Sequence, residues 1–238
     1  MNIGRANPAT HRFTQYQVKS QGDHITVQDP HSPNQLEGSI SVSPEQIEVF
    51  TRGSQYKIEL GPEGVAVSNP ASSRGAYEMV LPTPLQPEQY RSTGLSVAFA
   101  LMGLPLPPQL LQEQAAGQQS PLNFDVSVAN PNSPGLANFQ VRQQGDELTV
   151  GDPRDRMFRA GMDLSKPDQI MLFADQRQYR IQMGPEGVQV DNPKNDGMRS
   201  GMYDLVLTTP LRPEEYRRTG LSVAFSLLGL PLPPHLLS

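Results

Sequence analysis

The chain has 238 residues, with 24 prolines, 20 glycines, no cysteine, no tryptophan and a formal net charge of −5. The absence of cysteine excludes disulfides, thiolate metal sites and a cysteine nucleophile, and the acidic balance gives no general pull toward nucleic acid or an anionic membrane. Proline and glycine together make 44 of 238 residues, below the roughly 25–30% of aperiodic disordered sequence, so a folded chain with many reversals is expected.

From the N-terminus, apolar residues alternate in short runs, the pattern of half-buried strands. Tyr16 and Val18, then Ile25 and Val27, flank Gln21-Gly22-Asp23, which reads as a hairpin turn. Ile47 and Val49 precede Arg52-Gly53-Ser54, and Tyr56, Ile58 and Leu60 alternate with Lys57 and Glu59. Gly61-Pro62-Glu63-Gly64 has proline where a turn wants its fixed φ. Val65 and Val67 follow, then Tyr77, Met79 and Leu81. Connections this short join antiparallel strands, six or seven of them.

The period then changes. Pro87 can open a helix at its first position, with Glu88 favourably placed against the positive helix end. Tyr90, Gly94, Val97 and Leu101 fall on one helical face, and Leu95, Phe99 and Met102 on the adjoining one. From Leu95 onward nearly every residue is apolar, so the last two turns should be buried almost all round, with Gly103 and Pro105 ending the helix.

The same series is then written again. Tyr77 to Leu111 recurs as Tyr203 to Leu237 at an offset of 126, with 26 of 35 positions identical, and Tyr16 to Pro70 matches Phe139 to Pro193 at an offset of 123 in 25 of 55. The three-residue difference falls between Pro70 and Tyr77, where a surface loop absorbs it. Eleven of the 24 prolines belong to the two copies of the helical segment. The polar stretch before Phe124 reads as a linker, giving expected units at 1–111 and 124–238 joined by 112–123.

The fold class expected is therefore α+β: a tandem duplication of a unit of short antiparallel strands, a sandwich or half-open barrel, followed by one C-terminal helix and a proline-rich tail. In element order and size the unit is similar to pleckstrin-homology-like domains, which resemblance implies a seven-stranded half-open barrel plugged by the helix. Pseudo-twofold packing of the two units is a further option. The apolar run of the helix is too short and too broken by glycine and proline to span a bilayer. No charged segment plus apolar core opens the chain, so the expected location is cytoplasmic, or reached by export without a cleaved signal.

Functional signals are sparse. The duplicated LPLPP segments, Leu104, Pro105, Leu106, Pro107 and Pro108, then Leu230, Pro231, Leu232, Pro233 and Pro234, have the spacing of polyproline ligands. The plainer reading is an extended tail whose leucines pack on the sheet. Tyr90 and Arg91, repeated as Tyr216 and Arg217, place an arginine early in each helix, to pair with an acidic partner or to lie along the surface. Gly94 and Gly220 cost helix propensity and so point to a close backbone approach. Asp23, Asp146, Glu63 and Glu186 are explained by turn chemistry. His11, His24, His31 and His235 face Pro134, Glu147, Arg154 and Gln109 in the other copy, so no histidine chemistry is common to both. No calcium loop, nucleophile elbow or phosphate-binding glycine pattern occurs, and neither a cofactor nor a metal is expected. The reading that results is a non-enzymatic binding or scaffolding protein, with another protein as its partner and these tyrosines, arginines and tails as candidate contacts. Two alternatives stand beside it: a bacterial secretion-system substrate or chaperone, and an enzyme or small-ligand binder with a site in one unit or at the junction.

Overall fold

A computed structural model of the chain describes residues 2–7, 12–30, 36–51, 53–69, 78–111, 123–129, 136–151, 158–174, 177–191 and 204–237. Among the described residues each unit contributes eight strands and one α-helix. In the first unit the strands are β1 (Asn2–Asn7), β2 (Arg12–Gln21), β3 (His24–Gln28), β4 (Leu36–Ser43), β5 (Gln46–Thr51), β6 (Ser54–Gly61), β7 (Gly64–Ser68) and β8 (Glu78–Leu81), followed by α1 (Pro87–Met102). In the second they are β9 (Asn123–Ala129), β10 (Leu136–Gln144), β11 (Glu147–Gly151), β12 (Phe158–Lys166), β13 (Gln169–Ala174), β14 (Arg177–Gly184), β15 (Gly187–Asp191) and β16 (Asp204–Leu207), followed by α2 (Tyr216–Leu227). The α+β duplication with a C-terminal helix in each unit is thus present, with seven meander strands per unit, β2–β8 and β10–β16, plus one leading strand.

The leading strands join the units. The hydrogen-bonded order runs from β8 down to β1, then from β16 down to β9. β1 pairs with its own β2 and also with β16 of the other unit, Ile3 standing opposite Leu207. Its counterpart β9 pairs with β10 and lies alongside β8. The two ends of the order therefore lie near each other, and the hydrogen-bonded sheet runs unbroken from one unit into the other through β1 and β16. The buried side chains of both units form one continuous core. The boundary expected at 112–123 lies outside the described residues, apart from Asn123, which opens β9.

Local chemistry explains the elements. Gly22 and Gly145 adopt φ of 59° and 60° in the two-residue turns that join β2 to β3 and β10 to β11, a region open to glycine at little cost. The strands alternate buried and solvent-facing side chains, with Ile47 and Val49 inward and Glu48 and Phe50 outward. α1 starts at Pro87, with the Gln86 N–H donating to Gln89 Oε1 at 3.0 Å. In the second unit the Arg212 N–H donates to Glu215 Oε2 at 2.8 Å, and the first turn there, Pro213–Glu215, is a 3-10 turn leading into α2. α1 and α2 run across the inner faces of β4–β6 and of β13 and β14.

One departure from the sequence alignment is instructive. An offset of 123 through β4 would align Ile40 with Asp163, yet Ile40 is buried and Asp163 exposed. The structural equivalents are Ile40 with Met162 and Val42 with Leu164, an offset of 122. A one-residue slip would turn every apolar side chain of the strand to solvent. The loop before β12 is one residue shorter than its counterpart, and an irregularity between Asp163 and Lys166 restores the register. That irregularity is held by the Ser165 N–H donating to Asp163 Oδ1 at 2.9 Å, which lowers the Asp163 pKa.

Candidate functional site

Each helix ends at a glycine in the left-handed region, Gly103 with φ 70° and Gly229 with φ 68°. The next amide then folds back, Leu104 N–H donating to Phe99 O and Leu230 N–H to Phe225 O, both at 2.9 Å. This C-terminal motif sends the LPLPP segment away from the helix axis. The segment then packs in the other unit. Ser222 Oγ on α2 accepts from the Leu106 N–H at 2.8 Å and donates to Leu106 O at 3.1 Å. Reciprocally, Ser96 Oγ on α1 donates to Leu232 O at 2.8 Å. Ser96 and Ser222 are equivalent positions, as are Leu106 and Leu232, so the two units exchange tails by near-twofold symmetry.

The polyproline-ligand reading of the tails is corrected by this placement. Leu104 through Pro108 and Leu230 through Pro234 are all buried, and a ligand for an aromatic groove needs its prolines in solvent. The leucines beside the prolines draw the segment into the core, as the plainer reading expected, but into the core of the opposite unit.

The arginines and hairpin aspartates, read separately in the sequence, meet in space. Arg91 lies 3.0 Å from Asp23, and the equivalent Arg217 lies 3.9 Å from Asp146. Both aspartates are largely exposed, so each pair contributes at most about 1 kcal/mol. Tyr90 is buried and Tyr216 half-buried against the core. The helix glycines do mark close approaches: a Cβ on Gly94 would stand 2.6 Å from Ile47 Cδ1, and one on Gly220 2.6 Å from Met183 Sδ.

Among the described residues no group of three or more histidine, aspartate or glutamate side chains could hold a metal ion, and no helix is long and apolar enough to cross a membrane. Arg180 and Asp191 pair at 2.8 Å across β14 and β15, with Asp191 buried; the equivalent residues Lys57 and Ser68 cannot form that pair, so it belongs to one unit only. His235, in the second tail, is held neutral by burial, its pKa lowered to about 4.

The helix and proline signals do not announce the outer face of the sheet. Phe50 on β5 and Phe173 on β13 are equivalent residues and are exposed at 48% and 43%, the large apolar side chains that face solvent among the described residues. A shallow groove of about 360 Å³ runs beside Phe50, lined by Thr26, Ser39 and Gln55 among others. The signal was present in the alternation itself, which puts Phe50 and Phe173 out of phase with Ile47, Val49, Ile170 and Leu172.

Comparison with known proteins gives no match to any family model, curated protein or solved structure.

Proposed function

We propose that the chain is a non-enzymatic binding or scaffolding protein that offers another macromolecule two copies of one sheet face, centred on Phe50 and Phe173. The observation that carries this reading is the pair of equivalent exposed phenylalanines, one in each unit. A solvated strand position favours polar residues, and an aromatic ring there gains its free energy when a partner covers it. The tails serve assembly: they complete the core, while the rings stay in solvent. β5 and β13 stand eight places apart in the strand order, so the two rings form separate surfaces, as a bivalent scaffold requires.

The test is site-specific photocross-linking of the full chain in its native cell, with benzoylphenylalanine replacing Phe50 or Phe173 and, as a control, Glu186. The same macromolecular adduct from both aromatic positions and none from the control is expected. If neither position yields more than the control, the reading fails.

A further inference from the structure

The contacts that join the two units are ones a second copy of the chain can supply. β1 pairs with β16, Ile3 standing opposite Leu207. Leu106 of the first tail binds Ser222 through both its N–H and its carbonyl, and Leu232 of the second tail accepts from Ser96. All of these residues lie outside 112–122, the chain that leads from the first tail to β9. The connecting residues therefore act on these contacts through proximity: a short tether holds its two ends at an effective concentration of about millimolar. The second unit of another copy offers the same Leu207 and Ser222 to the same strand and tail.

Two observations give the exchange its pairing rule and its timescale. The ladder across the junction is offered by β1 of the first unit and completed by β16 of the second, whereas β9 has its hydrogen-bonded partner in β10. The junction thus matches a first unit to a second unit. Leu104, Leu106, Leu230 and Leu232 are all buried, and parting the units brings them into water. Parting is slow for that reason, so the choice between a chain's own second unit and another copy's is made as the chain folds. From Leu111 to Asn123 the chain reaches at most about 40 Å, against about 30 Å for the diameter of a small domain, so the two units of one chain can seat in neighbouring junctions.

We infer that the junction is a pairing surface for a second copy of this chain: two chains that fold together exchange units, the first tail and β1 of each seating on the second unit of the other, and form a closed dimer. Each unit is then completed by the partner copy's tail, as it is by its neighbour's in the single chain. The outer sheet faces take no part in this pairing.

The chain has no cysteine, and opposed residues of an antiparallel pair stand about 4.5–5.5 Å apart at Cα, within reach of a disulfide. Ile3→Cys and Leu207→Cys are therefore placed on separate full-length chains, one of them tagged. The two are unfolded in urea, mixed, refolded at about 1 mM, near the effective concentration of the tether, or at about 1 μM, and then oxidised. Expected is a disulfide-linked heterodimer at the higher concentration and at least about tenfold less at the lower. Ile3→Cys with Asp168→Cys, on the exposed turn between β12 and β13, is the control and should link no chains. Parental chains, tagged and untagged, refolded together and captured on the tag report the same exchange without a substitution, and the captured dimer should survive dilution. Phe50→Ser with Phe173→Ser should leave that dimer unchanged. Monomer alone at both concentrations in the parental mixture, a dimer lost with the two phenylalanines, or a dimer that links Ile3→Cys to the like-with-like counterpart Leu81→Cys in place of Leu207→Cys would overturn the inference.

Discussion

The tail segments and the outer sheet face are both duplicated, and they differ in how their two copies relate. In the helix and tail, 26 of 35 positions are identical, against 25 of 55 in the strand region before it. The first segment meets its own duplicate across a near-twofold junction, so equal residues stand in equal surroundings and a change on one side must be accommodated on the other. Strands that pack mainly within their own unit carry no such coupling. Identity between the copies thus follows contact between the units.

Truncating the exchanged tail should cost the most. Leu232→Ala or Leu106→Ala removes a side chain that is 2% exposed at the junction, and each should lower stability by about 2–5 kcal/mol in urea titrations. Both units should still unfold in one transition, since their core is shared. A smaller loss confined to one of two transitions would break the comparison.

The helix glycines sharpen it. Gly94→Ala sets a methyl 2.6 Å from Ile47 Cδ1, while Gly220→Ala sets one 2.6 Å from Met183 Sδ. A branched side chain yields less than a thioether. Alanine's helix propensity returns about 1 kcal/mol in both, so the neighbour decides: Gly94→Ala should destabilise by about 1–3 kcal/mol and Gly220→Ala by less. Thermal melts of the two variants test the ordering, which an equal or reversed cost would refute.

Next come the bridging hydroxyls. Ser222 makes two hydrogen bonds to Leu106 and Ser96 donates one to Leu232, so Ser222→Ala leaves both a buried N–H and a buried carbonyl without that partner. A loss of about 1–3 kcal/mol is expected for Ser222→Ala, exceeding that of Ser96→Ala.

The smallest effect concerns pH. His235 is neutral in the folded chain down to about pH 4, whereas unfolded it takes up a proton near the ordinary histidine value of 6.5. The unfolded state therefore binds more protons between these values, and stability falls as pH drops from 6.5 to about 4, with no contribution from this group above that window. Partial exposure limits the loss to about 1–2 kcal/mol. His235→Gln, which installs the residue found at the equivalent Gln109, should flatten that part of the pH profile of urea midpoints; an unchanged profile would refute the assignment.

Much of this fold was legible in the residues. The alternation around Ile25, Ile47 and Ile58, the turn glycines, the proline that opens α1 and the glycine that ends it are local signals, and the structure realises each. β4 was harder, because in Gly38-Ser39-Ile40-Ser41-Val42-Ser43 only two side chains are strongly apolar. β1 and β9 were missed because each also lies against a strand of the other unit, which no pattern within a unit can announce. The tails were legible as buried leucines and illegible in destination, since periodicity says that a side chain is buried and never against what. The layout similarity to a seven-stranded barrel covers one unit alone, whereas the hydrogen-bonded sheet runs from one unit into the other.

The central claim is that neither unit is complete without the tail and strand of the other. It is tested by placing a protease site within residues 112–122 of the full chain, cutting it, and following the two halves by size-exclusion chromatography and circular dichroism. The account predicts that the cut halves stay together as a folded one-to-one complex and separate only on unfolding. Two halves that part in native buffer, each keeping its secondary structure and a cooperative melt, would contradict it.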